Sequence, residues 1–172
     1  DQLALQVSAG RLREATTDFP FRSQPPVTRA TASAMYHVPF GETGLWATTV
    51  AFGATHAREA VSGGILDATS VGALLESSLT VADRHTVFSR AEVGRVPAHH
   101  LHAHEYSLLL FPLGKVQVGY VRHLRVAKGV VPGIGGSLAL SVLSPELAPR
   151  YYGRVAPSAA VFFNIRPARH AM

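Results

Sequence analysis

Four histidines occupy positions 99–104 in the stretch HHLHAH, which is followed by Glu105. In an extended chain His100, His102 and His104 project to one side, with about 6 to 7 Å between neighbours. Two of them, joined at a bend by His99 or Glu105, would supply nitrogen and oxygen ligands suited to Zn, Cu or Ni. The alternative is a solvated loop whose histidines titrate near about 6.5 and bind metal only adventitiously. The sequence leaves open a metal site at His99, His100, His102 and His104, and no other cofactor is expected.

A second group of chemically capable side chains flanks the tight turn ADRH. Glu76 precedes this turn, and Arg90 and Glu92 follow it. Pairing of position 76 with position 90 would place all three on one face, where cross-strand charge pairs order a polar lumen. Such a set fits either a selectivity lining for small solutes or a plug that makes a narrow barrel rigid. Acid–base catalysis by Glu76 and Glu92 is less well supported, because an Arg bridges them and no nucleophile motif accompanies them.

Other enzyme motifs are missing. The stretch GGSLALS lacks the spacing of a nucleophile elbow, and the glycines of 133–136 precede no helix that could bind a nucleotide. These glycines more simply permit close approach of strands. A Ser-His hydrolase would need Ser137 or Ser141 to meet His123 in space. We therefore expect that the protein is not an enzyme.

Composition excludes several classes of partner. Only 16% of the 172 residues are charged, which is low for an ordinary soluble protein, and 47% are hydrophobic. The net charge of +5 comes from scattered Arg without a basic block, so we expect no nucleic-acid partner. Cysteine is absent, which excludes disulfides and thiolate metal sites. No apolar run approaches the roughly 18 residues of a membrane helix.

The first residues lack a Met and a signal peptide, and we expect this single domain to be the C-terminal part of a longer chain.

Hydrophobic periodicity predicts strands throughout the chain. In TRATASAMYHV, for example, apolar Ala and Tyr36 share one face while Arg29 and His37 share the other, a period of two. The Pro and Gly of FPLG at 111–114 would suit a turn. Residue parity is nevertheless unbroken across them, which favours one long strand. The predicted strands are about 2–10, 28–38, 45–55, 70–82, 86–94, 105–123, 131–142 and 157–166.

Strand length and connection length favour a membrane barrel. Strands of about 9 to 12 residues match what crosses a hydrocarbon core and exceed the globular mode of about 5 to 6. The connections alternate, with 11–27, 56–69, 95–104 and 143–157 long and 39–44, 83–85 and 124–130 short, as in bacterial barrels. We therefore predict an all-β, antiparallel up-and-down meander of about eight long strands. It would form a transmembrane β-barrel or an open part of a larger one.

This threading assigns two sets of residues by face. Tyr36, Trp46 and Tyr120 fall on the outward face near the short turns, with Tyr106 at the opposite rim, as an aromatic girdle facing lipid. The alternative is that these aromatics belong to the core of a sandwich. The predicted lumen-lining residues are Arg29, His37, Glu76, Arg90, Glu92, Lys115, Gln117, His123 and Arg166.

A resemblance extends over nearly the whole chain. The stretches TASAMYHVPF, WATTVAFGATH, ALLESSLTVADRHTVFSRAEV, KVQVGYVRHL, GIGGSLALSVLSPELAPRYYG and VFFNIRP together resemble, in order, the C-terminal half of a family of uncharacterised bacterial outer-membrane β-barrel proteins. The resemblance implies an outer-membrane barrel with further strands before residue 1, and it implies no catalytic residues. The ending RPARHAM lacks the terminal aromatic residue of such barrels, and the histidine run stands where an acidic loop is expected.

Two functional classes follow from the sequence. The first is a bacterial outer-membrane barrel, either a porin-like passive channel or a structural barrel with a mixed-charge lumen, whose partners are lipid and small solutes. The second is a soluble all-β binding protein. A less supported third function is outer-membrane metal binding by the His-rich loop.

Overall fold

The structure, a computed structural model, describes residues 2–12, 27–61, 64–97, 101, 109–125, 129–149 and 153–167. These residues form one antiparallel sheet whose eight strands follow chain order, so the predicted fold class is confirmed. The strands are β1 Gln2–Leu12, β2 Val27–Phe40, β3 Gly44–Val61, β4 Gly64–Val81, β5 His85–Pro97, β6 Leu110–His123, β7 Val130–Val142 and β8 Val155–Pro167. The described residues include no helix that is long and apolar enough to cross a membrane.

The FPLG segment lies inside β6, as its unbroken parity predicts. Pro112 is paired with Arg95 of β5, whereas the pairing of β6 with β7 begins only at Gly114. At Pro112 the strand therefore has a neighbour on one side only. A proline, which has no N–H to donate, is tolerated at such an edge. The predicted start of this strand at 105 lies outside the described residues.

The long connection predicted at 56–69 is wrong. Strands β3 and β4 continue until Val61 is paired with Gly64, which leaves only two residues between them. The polar side chains that suggested a loop pair across the two strands instead. Asp67 Oδ1 lies 3.7 Å from His56 Nε2, and Asp67 Oδ2 lies 3.8 Å from Arg58 Nε. Loss of apolar alternation here marks a polar part of a hairpin, not the end of the strands.

The sheet is strongly curled. The Phe88 ring on β5 and the Phe162 ring on β8 have centroids 6.1 Å apart, although two strands separate β5 from β8 in the sheet. In a flat sheet three strand spacings would hold them about 14 Å apart. Arg166 on β8 also donates a hydrogen bond to the carbonyl of Asp83, in the turn between β4 and β5, at 2.8 Å. Strands β1 and β8 are not paired with each other, so the sheet is an open barrel.

Strand register places the side chains in continuous rows on two faces. The inner face lines the cavities described below, and the outer face is opposite to it. One outer row runs across all eight strands through Leu5, Ala34, Val50, Leu75, Ala91, Val116, Leu140 and Pro157. Most of its large side chains are exposed, for example Val116 at 59% and Leu140 at 52%. Within the described part of the chain, no other layer thus covers the apolar residues of this row.

Three neighbouring outer rows have the same character. They are Val7, Ala32, Phe52, Ala73, Val93, Gly114, Val142 and Val155; Leu3, Tyr36, Thr48, Ser77, Ser89, Val118, Leu138 and Ala159; and Val38, Trp46, Leu79, Val87, Tyr120, Gly136 and Val161. None of these paired positions carries a charged residue. We call the four rows together the apolar band.

The short turns that join β2 to β3, β4 to β5 and β6 to β7 lie at one end of the barrel, which we call the turn end. A small buried cluster lies at the opposite end. Leu147, in the connection between β7 and β8, is fully buried and packs on Phe111 of β6, which is 3% exposed. Leu101, Leu113 and Leu143 pack around this pair. The connection thereby folds back onto the inner face. We call Phe111, Leu147 and these three leucines the leucine cap.

Candidate functional site

The centre of the inner face holds a group of charged side chains. Glu76 is paired in register with Arg90, and Glu92 is paired with Lys115. The two terminal nitrogens of the Arg90 guanidinium donate to Glu76 Oε1 at 2.8 Å and to Glu92 Oε2 at 3.1 Å. The register that the sequence required, position 76 opposite position 90, is the one observed. We call Glu76, Arg90, Glu92 and Lys115 the charged ladder.

Hydrogen bonds from Arg90 hold the charged ladder together. Each carboxylate accepts one of them from this permanently charged guanidinium. Charge-assisted bonds of this kind are stronger than neutral ones, although the side chains of Glu76 and Arg90 are each 42% exposed to the interior and solvent weakens the pairing. Arg90 therefore links β4 to β5 on the inner face.

Two cavities adjoin the charged ladder. The larger, about 700 Å³, is lined by residues from β1 to β7 and lies on the side of the leucine cap. Glu92 and Lys115 reach its wall. The smaller, about 400 Å³, lies toward the short turns and is lined by polar groups that include Glu76, Arg90 and Gln117. The charged ladder thus lies between a larger cavity with mostly apolar walls and a smaller cavity with polar walls.

Aromatic rings fill the inner face beyond the smaller cavity. A Cβ atom built on Gly119 would coincide with the ring of Phe88, and one built on Gly135 would lie 2.7 Å from the ring of Phe162. Each ring therefore occupies the space above a glycine on another strand. The two rings also contact each other. Together they obstruct the interior at the turn end.

The inner row nearest the turn end contains polar residues, among them Thr86 and His123. His123 is buried, and its Nε2 atom lies 3.2 Å from the Thr86 hydroxyl oxygen. Arg166 reaches the carbonyl of Asp83. Gln117 donates to the Ser137 hydroxyl at 3.0 Å, so this serine is engaged away from His123. The Ser-His pairing that a hydrolase would need at Ser137 is not formed.

At the opposite end, the connection that carries the leucine cap also holds a perturbed carboxylate. The pKa of Glu146 is lowered because its own backbone N–H hydrogen-bonds the carboxylate, with further stabilisation from the Ser144 hydroxyl and from the positive charge of Arg154. Any stability that this gives the connection is present above the ordinary pKa of the carboxyl. It is lost as the pH falls through the lowered pKa.

Aromatic side chains on the outer face gather near the short turns. Trp46 and Tyr120 lie in the row of the apolar band nearest those turns, and Tyr36 lies in the next row. Tyr36 packs edge-on against Trp46, with ring centroids 6.3 Å apart. Trp46 donates its indole N–H to Ser77 at 2.9 Å, and the Tyr120 hydroxyl lies 2.6 Å from His85 Nδ1. The polar groups of Trp46 and Tyr120 thus each have a partner.

The remaining predicted site residues lie apart from the charged ladder or outside the described chain. Arg29 and His37 are on the inner face of β2, paired with Thr55 and Ala47 of β3. Tyr106 and the predicted metal ligands lie outside the described residues, the ligands being His99, His100, His102 and His104. Among the residues that the structure does describe, no three His, Cys, Asp or Glu side chains are grouped to hold a metal.

Sequence reasoning missed the side chains that occupy the interior and the glycines that leave space in it. Phe88 and Phe162 were not singled out, nor were the glycines beneath them or Leu147. The available signal was parity, since Phe88 stands at an inward position between Thr86 and Arg90, and Phe162 stands two residues before the inward Asn164. Their contact depends on register across several strands, which the sequence does not display.

Comparison of the chain with protein-family models, with curated proteins and with solved structures finds no match. The functional interpretation therefore depends on the geometry of the two faces.

Proposed function

We propose that this protein is a membrane-embedded β-barrel of the bacterial outer-membrane type, with a structural role and an obstructed interior. The observation that carries the proposal is the apolar band. It runs across all eight strands, and none of the residues that the structure describes forms a second layer over it. Contiguous exposed apolar surface on this scale is typical of a face that meets lipid or a partner. A soluble binding protein would instead cover such a face with a second layer.

The uncharged height of the outer face along β6 matches that of a lipid-facing surface. On the outer face along β6, the nearest charges are Arg122 at the turn end and Arg95, which is paired with Pro112, at the other. About ten residues separate positions 112 and 122. At about 3.3 Å per residue and a strand tilt of about 40°, they span about 25 Å along the barrel axis. This agrees with the band of membrane barrels. Trp46 and Tyr120 lie in its outermost row, where aromatic residues of such barrels meet the headgroups.

Obstruction at both ends favours the structural role. Phe88 and Phe162 occupy the interior at the turn end, and the leucine cap covers the inner face at the other end. Small barrels of eight strands are generally filled by side chains rather than water. The charged ladder fits this role as an internal brace.

Fluorescence quenching by brominated lipids tests the proposed lipid contact. Trp46 is the single tryptophan, so it can be replaced by Phe and a new tryptophan introduced at one site. Leu75→Trp on the middle of the apolar band should be strongly quenched by lipids brominated in mid-chain. The native Trp46 should be quenched best by bromines close to the headgroup, because its row borders the charged end of the band.

The matched control is Leu74→Trp, one residue along β4 on the inner face. Leu74 lines the larger cavity, so its replacement should be quenched far less than Leu75→Trp by the same lipids. Equal quenching at 74 and 75, or none at either, would contradict the proposal. Heat-modifiable migration on a gel verifies that each variant is folded.

A passive channel is the second candidate function, and the charged ladder between two cavities favours it. In planar bilayers we expect little current through the native protein, because aromatic rings obstruct the interior. The triple replacement Phe88→Ala, Phe162→Ala, Leu147→Ala, which removes both rings and the centre of the leucine cap, should raise the conductance several-fold. Phe163→Ala, on the exposed outer face of β8, is the control and should leave it unchanged. A triple variant that folds but never conducts would exclude the channel.

A further inference from the structure

Three glycines lie side by side on the wall of the larger cavity. Gly53 is paired with Gly72, and Gly72 is paired with Gly94, so one inner row crosses β3, β4 and β5 without a side chain. All three line the cavity. We call this row the glycine floor.

The glycine floor differs from the glycines at the turn end. A Cβ atom on Gly53 would come no closer than 3.8 Å to any other group, and one on Gly72 no closer than 3.5 Å. At Gly94 the nearest atom would be a backbone oxygen at 3.2 Å. Above Gly119 and Gly135, in contrast, the vacant space is taken by Phe88 and Phe162. Among the described residues, no side chain therefore fills the space above the glycine floor.

The other walls of the larger cavity are mostly apolar. Leu74, Val96, Leu113 and Leu143 contribute aliphatic surface. The volume of about 700 Å³ lies within the range of about 300 to 1,000 Å³ of small-molecule sites. Such sites combine apolar walls with a few polar groups that set the orientation of the ligand.

Lys115 provides that polar group. It lines the larger cavity, and within the described part of the chain no carboxylate oxygen lies within 4.0 Å of its ammonium group. Glu92, its register partner, accepts a hydrogen bond from Arg90 instead. In the same inner row Ser33 and Ser141 add hydroxyl donors, and both line the cavity. The donors of Lys115 are thus available to a ligand.

We propose that the larger cavity binds an apolar carboxylate, with its anionic group at Lys115 and its apolar body over the glycine floor. A cationic ligand fits less well, because the one carboxylate on this wall is already held by Arg90. The site goes beyond the structural role proposed above. It depends on the inner face alone and stands whether or not the outer face meets lipid.

Protection of an introduced cysteine tests the site. The chain has no cysteine, so Thr31→Cys on the cavity wall and Ala30→Cys on the outer face give single reactive thiols on adjacent residues. Saturating decanoate should slow thiol labelling at position 31 by about tenfold and leave position 30 unchanged. Equal slowing at both positions would show that decanoate acts through the surrounding detergent or lipid and would overturn the proposal.

Two further variants test the chemistry of the site. Lys115→Met replaces the ammonium group with an uncharged thioether and should raise the decanoate concentration needed for protection about tenfold, the effect of losing one charge-assisted hydrogen bond. Protection by decanol, which has no charge, should not change. Gly53→Leu should abolish protection by filling the space above the glycine floor, while Ala54→Leu, the outer-face neighbour, should not. Undiminished decanoate protection in folded Lys115→Met or Gly53→Leu would overturn the assignment.

Discussion

Replacing Leu75 with Arg is expected to lower the free energy of unfolding in lipid by about 2 to 4 kcal/mol, the cost of a cation near the bilayer midplane on the outside of a barrel. Leu75 lies in one of the two central rows of the apolar band, paired with Val50 and Ala91, and it is 47% exposed. In the proposed membrane-embedded barrel an Arg there could not reach water without distorting the strand or the bilayer. Urea unfolding in lipid vesicles, followed by gel mobility, measures the change.

The control for this variant uses the adjacent residue. Leu74→Arg points to the inner face and is paired with Glu92, so the new cation meets water and a carboxylate. We expect a clearly smaller loss of stability than for Leu75→Arg. In a soluble protein the outcome would be reversed, since an exposed Leu75→Arg would change stability by no more than about 0.5 kcal/mol. If Leu75→Arg leaves the free energy of unfolding unchanged, lipid contact at this face is therefore excluded.

Replacing Gly119 with Ala is expected to lower the free energy of unfolding by about 1 to 3 kcal/mol, as overpacking does in cores. The added methyl group would coincide with the ring of Phe88, which would have to move away from Phe162. Gly114→Ala is the control on the same strand. Its Cβ would lie 3.8 Å from the nearest atom, on the outer face, and we expect a change within about 0.5 kcal/mol.

A double-mutant cycle identifies the cause of that loss. In a Phe88→Ala background the space above Gly119 is empty, so Gly119→Ala should cost little and the two changes should not add. The interaction is measured from unfolding curves of the native protein, both single variants and the double variant. Additive effects would mean that the ring of Phe88 is not seated on Gly119.

Much of the fold could be predicted from residue alternation. The number of strands, their order and the continuity of β6 through FPLG follow from parity, because side chains of a strand alternate strictly between two faces. The position of Glu76 opposite Arg90 follows from the short turn between β4 and β5, which leaves little freedom of register. The length of β3 and β4 did not follow, because the polar pairs of His56 and Arg58 with Asp67 resemble a loop in the sequence.

The sequence by itself determined that this protein is an antiparallel sheet with one apolar face and one polar face, and that charged residues meet on the polar one. Only the tertiary structure decided what the interior contains. The contact between the rings of Phe88 and Phe162 arises from curling, which brings β5 close to β8, and the cavity above the glycine floor is enclosed by strands from β1 to β7. A period of two reports which face a residue occupies, but the curvature of the sheet decides which residues on that face meet across the interior.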